Sequence, residues 1–257
     1  MDILEQALKQ KEKYLLENKQ YKRFEQLAHR RLVGKYVGDF VYGANDGIIT
    51  TFAVVAGATG ASLPSSVILI LGFANLLADG ISMGASNYLG GKSEQEFAKA
   101  QRQKEEWEID NLRQLEVQEV RDIYKKKGFT GRDLEHAVAI VTSNKEVWLD
   151  TMMKDELGIM EVAGDDARKH GLATFAAFVI AGIFPLLPYM LPGLPDSFFA
   201  SAVIGAATLF AVGALRTLVT TVGIVRGGME MLLVGSCAAA VAYIVGAIIQ
   251  NIVGVSI

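Results

Sequence analysis

Two acidic pairs, Glu105-x-x-Glu108 and Glu116-x-x-Glu119, have the spacing at which side chains share one face of a helix. The pairs stand eleven residues apart, almost three whole turns, so on one helix all four carboxylates can face the same side. Clustered oxygen ligands of this kind coordinate divalent cations. The competing reading is a solvated acidic face, which costs an isolated helix only about 0.2–0.5 kcal/mol per like-charge pair. A third segment, Trp148 to Leu157, places Met152 and Met153 on the same side as Glu156. Thioether sulfur added to carboxylates shifts preference from Mg2+ and Ca2+ towards a later transition metal. Its plainer alternative is methionine packing a small helical core.

A second group of polar residues lies inside apolar sequence. Asp46 sits in Gly43-Ala44-Asn45-Asp46-Gly47, and Asn75, Asp79 and Met83 follow one another at intervals of four. Ionisable groups in a membrane span are costly and usually mark a pathway. No Lys or Arg lies in either span, so a transient cation is the natural partner for Asp46. A proton can replace that cation when it leaves, which is the logic of exchange. The alternative is polar glue between helices. Gly47 permits close approach of another backbone or an ion. Asp39, near the end of the span, is expected to be solvated, and His29 and His170 to lie at the surface. Asp133-x-x-His136 is a single weak metal-like pair, and the paired Glu-x-x-His motifs of a di-iron centre are missing. No phosphate loop, Gly-x-Ser-x-Gly or Cys/His nucleophile arrangement is present, so no enzyme chemistry is indicated.

The charge distribution defines the elements that must hold these groups. Residues 1–38 carry 9 Lys/Arg and 5 Asp/Glu, residues 91–171 carry 14 and 18, and the other 138 positions hold 7 charges in total. Five stretches can span a bilayer, at 37–61, 65–89, 172–191, 197–215 and 231–257. Breaks are expected at Ser62-Leu63-Pro64, at Pro185, Pro188, Pro192 and Pro195, and at Arg226-Gly227-Gly228. The fold class is therefore all-α, a polytopic membrane protein with an insert of three helices between spans two and three. Its segments are an amphipathic arm (1–36), spans one and two (37–90), the insert (91–171) and spans three to five (172–257). Alternation of Lys and Arg between flanks puts the N-terminus and insert in the cytoplasm and the C-terminus outside. Within the insert one helix is expected from Ser93 to Lys127, and span two can run straight into it with Gly90-Gly91 as the place for a bend. A second is capped by Asp133, and a third runs from Asn144 to Leu157. One cysteine, Cys237, excludes internal disulfides and cysteine zinc sites, and a net charge of −3 argues against a nucleic-acid partner.

The stretches Asp39–Gly47, Ile81–Leu89, Trp148 with Met152-Met153 and Glu156-Leu157, and Pro185-Leu186-Leu187-Pro188-Tyr189 together resemble the vacuolar iron transporter family, which includes yeast vacuolar iron/manganese importers. The resemblance runs from about residue 37 to the end. It implies a homodimer with the pathway at its interface, and export of Fe2+, often also Mn2+, from the cytosol against protons, with no prosthetic group. It places metal-domain ligands on Glu105, Glu108, Glu116, Glu119, Met152, Met153 and Glu156, and the pathway Asp and Met on Asp46 and Met83. Asn75 departs from the plant members, which carry a Glu there, and Asp79 follows one turn later. Two other functions fit the residues, a membrane-anchored metal sensor or buffer and a proton-independent cation channel. The absence of a targeting segment suggests a prokaryotic cell membrane.

Overall fold

The structure, a computed structural model, describes residues 5–6, 9–10, 31–160, 166–191, 194, 196–216 and 223–254. Most of the arm expected over 1–36, with His29, and also Pro192 and Pro195, lie outside the described residues. Every described element is a helix. In chain order these are α1 (Arg31–Gly60), α2 (Ser65–Asn111), α3 (Arg113–Lys126), α4 (Gly131–Thr142), α5 (Lys145–Thr151) and a π-helical turn (Met152–Glu156). There follow α6 (Ala167–Gly182), a 3-10 turn (Phe184–Leu186), α7 (Leu187–Met190), α8 (Ser197–Leu215) and α9 (Ile224–Val253). The chain divides into two compact units, residues 88–167 and the remainder, with the boundary falling inside α2.

In the first unit five helices are long and apolar enough to cross a bilayer: α1, α2, α6 with its continuation through α7, α8 and α9. α1 is central. Its Phe52, Val55, Ala56 and Ala58 pack with Leu76 of α2, Phe178 of α6 and Ala239 of α9. Its Ala44 and Ile48 pack with Ala177 and Ala181 of α6, Leu209 of α8 and Met231 of α9. Large apolar side chains on α2, α8 and α9, among them Ile70, Ile81, Phe199, Leu233 and Ile252, remain exposed, as a lipid-facing surface requires.

Small residues set the helix spacing. A Cβ on Gly47 would fall on the carbonyl oxygen of Phe178, and one on Gly43 on that of Thr174. α1 and α6 therefore meet backbone to backbone on either side of Asp46, the close contact that small side chains allow in lipid. Gly47→Val should force the two apart. The expected loss is about 1–3 kcal/mol from overpacking, read as a lower melting temperature in detergent.

α1 begins at Arg31 rather than Val37, and α2 carries span two straight through Gly90 and Gly91 into the insert. The break expected at Arg226-Gly227-Gly228 is not a break. Gly227 and Gly228 lie buried within α9, with the Gly227 carbonyl against Gly213 and Gly228 against the ring of Phe210. These glycines serve packing between α8 and α9. The prolines behave as expected, since Pro185 and Pro188 sit in the short turns that follow α6.

The second unit encloses its own core of Ile109, Val120, Ile123, Leu134, Val138, Val141, Trp148, Leu149 and Met152. The helix expected from Ser93 to Lys127 is two helices, broken at Leu112. Asn111 marks the place, because its side-chain amide donates to the Trp107 carbonyl at 2.7 Å, a local bond that competes with the helix. α4 starts at an extended Thr130, with Asp133 only in its first turn, so Asp133 is not the cap. Asn144 is a cap, accepting from the backbone N–H of Glu146 and Val147.

Candidate metal centre and intramembrane carboxylates

The break at Leu112 creates the principal site. In a straight helix the eight residues from Glu108 to Glu116 would span about 12 Å. With the helix interrupted at Leu112, one ligand atom from each of Glu105, Glu108 and Glu116 lies within 4.8 Å of the others. Glu105 and Glu116 are each only 2% exposed. Glu119 and Glu156 stand close enough to repel Glu116 electrostatically. The expected single acidic face of one helix is thus a cluster fed by α2, α3 and the π-helical turn.

The last part is held in place by ion pairs. Arg102 on α2 bonds Glu146 and Asp150 of α5, each at 2.8 Å. Lys145 reaches back to Asp110 at 2.7 Å and Glu106 at 3.1 Å. Trp148 is fully buried beneath the Arg113 guanidinium. From this anchor the chain widens into the π-helical turn over Met152–Glu156, closed by Leu157 N–H to Met152 O, and Gly158 turns it away at φ +67°. Single π turns recur at functional sites because the extra residue re-aims the side chains. Both methionines are buried, and Met152 belongs to the apolar core. Its surroundings are those of a packing residue, while Met153 lies outside that apolar cluster.

Electrostatics fit a cation. Burial, followed by repulsion from Glu119, Glu105, Glu108 and Glu156, pushes the Glu116 carboxyl up to about 8. The Glu156 carboxyl is raised for the same reasons, burial first. One Glu116 oxygen, Oε2, is buried without a hydrogen-bond partner. Leaving a buried acceptor unsatisfied costs about 1–3 kcal/mol, and a hard, oxygen-seeking divalent cation would remove both that cost and the repulsion. Asp133 and His136 lie together on α4, in the lining of a shallow cavity of about 460 Å³ with Lys127 and Phe129, and neither joins this cluster.

In the first unit Asp46 lies within electrostatic reach of Asp79. Asn75, Asp79, Met83 and Asn87 form a half-buried stripe along α2. Met83 packs against the apolar core at one edge. Asn45 Oδ1, beside Asp46, is buried without a hydrogen-bond partner. At the end of the stripe the structure corrects two expectations. Asp39 is not solvated, nor is His170 at the surface. Their side chains are 14% and 18% exposed and bonded to each other through Asp39 Oδ2 and His170 Nδ1. Asn87 donates to Asp39 Oδ1 at 2.8 Å and to Thr174 Oγ1 at 2.6 Å, so the network ties α1, α2 and α6 together. Asn87 was legible as the next step of the i, i+4 stripe, and Asp39 as two turns before Asp46. His170 had no local signal.

Five membrane-length helices, a polar helical unit with convergent carboxylates and paired carboxylates within the spans define a multi-pass integral membrane protein of the transporter class. The sequence profile of the VIT family matches residues 37–247, and the chain belongs to that family. It is 36% identical over 239 residues to the vacuolar iron transporter of Toxoplasma gondii, covering 89% of this chain and 79% of that one. It is 33% identical over 219 residues to vacuolar iron transporter 1 of Arabidopsis thaliana, covering 85% and 88%. To vacuolar iron transporter 1 of Eucalyptus grandis it is 30% identical over 219 residues, covering 85% and 88%. These relatives are named as transporters, not enzymes.

Proposed function

We infer that this protein carries Fe2+, and also Mn2+, out of the cytosol across its membrane in exchange for protons. The observation that carries the reading is the approach of Asp46 and Asp79 within apolar stretches, residues 37–61 and 65–89, that contain no Lys or Arg. A mobile cation relieves that repulsion, and protons relieve it when the cation has left. Asn75 and Met83 complete a stripe of oxygen and sulfur ligands, a mixture that suits a transition metal better than Mg2+ or Ca2+. Glu105, Glu108, Glu116, Glu119 and Glu156, with Met153 and Met152 beside them, collect the ion on the cytoplasmic side. The half-buried faces of Asp46 and Asp79 call for cover, which a second copy of the chain in a homodimer would supply. The membrane is taken to be a prokaryotic cell membrane, with the insert inside.

The test is reconstitution in liposomes with a pH-sensitive dye enclosed and a proton gradient imposed. Fe2+ flux that grows with the gradient and is matched by opposite proton movement is the expected result. Flux without proton movement would make the protein a channel. Absence of flux, with metal still bound by the purified chain, would leave an anchored sensor or buffer.

A further inference from the structure

The carboxylate cluster already contains a cation of its own. Lys104 Nζ lies 2.7 Å from Glu108 Oε2 and 3.4 Å from Glu105 Oε1. These are two of the three carboxylates whose ligand atoms converge within 4.8 Å. The Lys104 side chain is 56% exposed, whereas Glu105 is 2% and Glu108 22% exposed, so the ammonium reaches inward from the solvent side. Three neighbouring basic groups are engaged elsewhere, Arg102 with Glu146 and Asp150, Lys145 with Glu106 and Asp110, and Lys127 with Asp155.

We propose that Lys104 is the built-in counter-cation of the metal centre, seated between Glu105 and Glu108 when no metal is bound and displaced when a divalent ion enters. The inference rests on the cluster being a divalent-metal site, and it concerns what sets the affinity of that site. A metal coordinating Glu105 and Glu108 competes with the ammonium for the charge of the same two carboxylates. It also brings two positive charges into close range of a third. Retraction of the lysine into water is therefore part of binding. The ammonium itself is more than half exposed, so its hold on the carboxylates is weakened by water and screened by salt, and it yields to a divalent ion. A monovalent ion gains no charge advantage over the tethered ammonium it would replace. Lys104 thus acts as a positioning and affinity-setting residue, and the metal's own ligands are the carboxylates.

The experiment is calorimetric titration of the purified full-length protein in detergent with Mn2+, for the wild type, Lys104→Gln and Lys104→Arg. Lys104→Gln should bind Mn2+ about 3- to 10-fold more tightly, and the gap should narrow as NaCl is raised, because the lost competitor is an exposed charge. Lys104→Arg, which keeps the charge, should bind no more tightly than the wild type. Equal or weaker binding by Lys104→Gln, with wild-type binding intact, would overturn the role of Lys104 and leave the metal centre standing. A gap that ignores salt, or tighter binding by Lys104→Arg, would overturn it too. No Mn2+ binding by the wild type would remove the metal centre itself. Lys104→Met serves as a second neutral variant should Lys104→Gln fold poorly.

Discussion

Asp46→Asn is expected to abolish metal transport while leaving metal binding by the second unit as it was. Asparagine keeps the shape and one oxygen but removes the charge on which the pairing with a cation depends. Loss of an outer-shell partner of a metal ligand typically costs about 10–100-fold, and loss of the carboxylate itself should cost at least that. Asp46 lies between the glycines that bring α1 onto α6 and takes no part in the core that holds Trp148. Initial rates of Fe2+ uptake into liposomes, compared with Mn2+ titration of the same preparation, separate the two effects. Uptake at the wild-type rate would remove Asp46 from the pathway. Parallel loss of uptake and binding would point to misfolding rather than to a lost pathway group.

Glu116→Gln should act in opposite directions on metal affinity and on the stability of the metal-free protein. Metal affinity should fall by at least about 10–100-fold, the cost of losing even an outer-shell partner. Stability should rise at neutral and alkaline pH. A carboxyl raised in the folded state to about 8, from the ordinary value of 4.5, binds its proton more tightly folded than unfolded. Between those two values unfolding releases protons, so stability falls as pH rises. At about 1.4 kcal/mol per unit of difference, and with neighbouring carboxylates sharing the charge, the wild type should lose on the order of 2–4 kcal/mol from pH 5 to pH 8. Glutamine cannot ionise and removes the share of that dependence that belongs to Glu116. Both tryptophans of the chain, Trp107 and Trp148, lie in residues 88–167, so their fluorescence follows this unit alone. Thermal unfolding followed by that signal should show a wild-type midpoint that drops from pH 5 to pH 8 and a Glu116→Gln midpoint that drops clearly less, since Glu105 and Glu156 remain raised by burial. A wild-type midpoint that rises over the same range would contradict the buried, repelled state of Glu116.

Membrane helices and their polar positions were readable because the relevant physics is local and periodic. A run of apolar residues long enough to cross a bilayer reports itself wherever it sits. Asn75, Asp79 and Met83 report a common helix face by spacing alone, and Asn144 reports a helix start by its side chain. Glycine was harder to read. Gly227 and Gly228 look like a break, yet in apolar surroundings the backbone keeps its helical hydrogen bonds, and the missing side chains serve close packing against α8.

The sequence by itself determined that this chain is an all-helical membrane protein with a polar unit rich in carboxylates, and it offered those carboxylates as candidate ligands. It did not determine how those residues meet. Two pairs at an eleven-residue interval suggested one acidic face, on which Glu108 and Glu116 would stay about 12 Å apart along the axis. The tertiary structure decided otherwise by breaking the helix at Leu112, folding Glu116 against Glu105 and Glu108, and bringing the π-helical turn with Glu156 alongside. It also decided that Asp39 and His170, 131 positions apart, share a bond. Helical spacing fixes direction within an element, whereas the meeting of two elements depends on the core each must bury. For the carboxylate cluster that core includes Trp148, and its contacts are drawn from four helices at once.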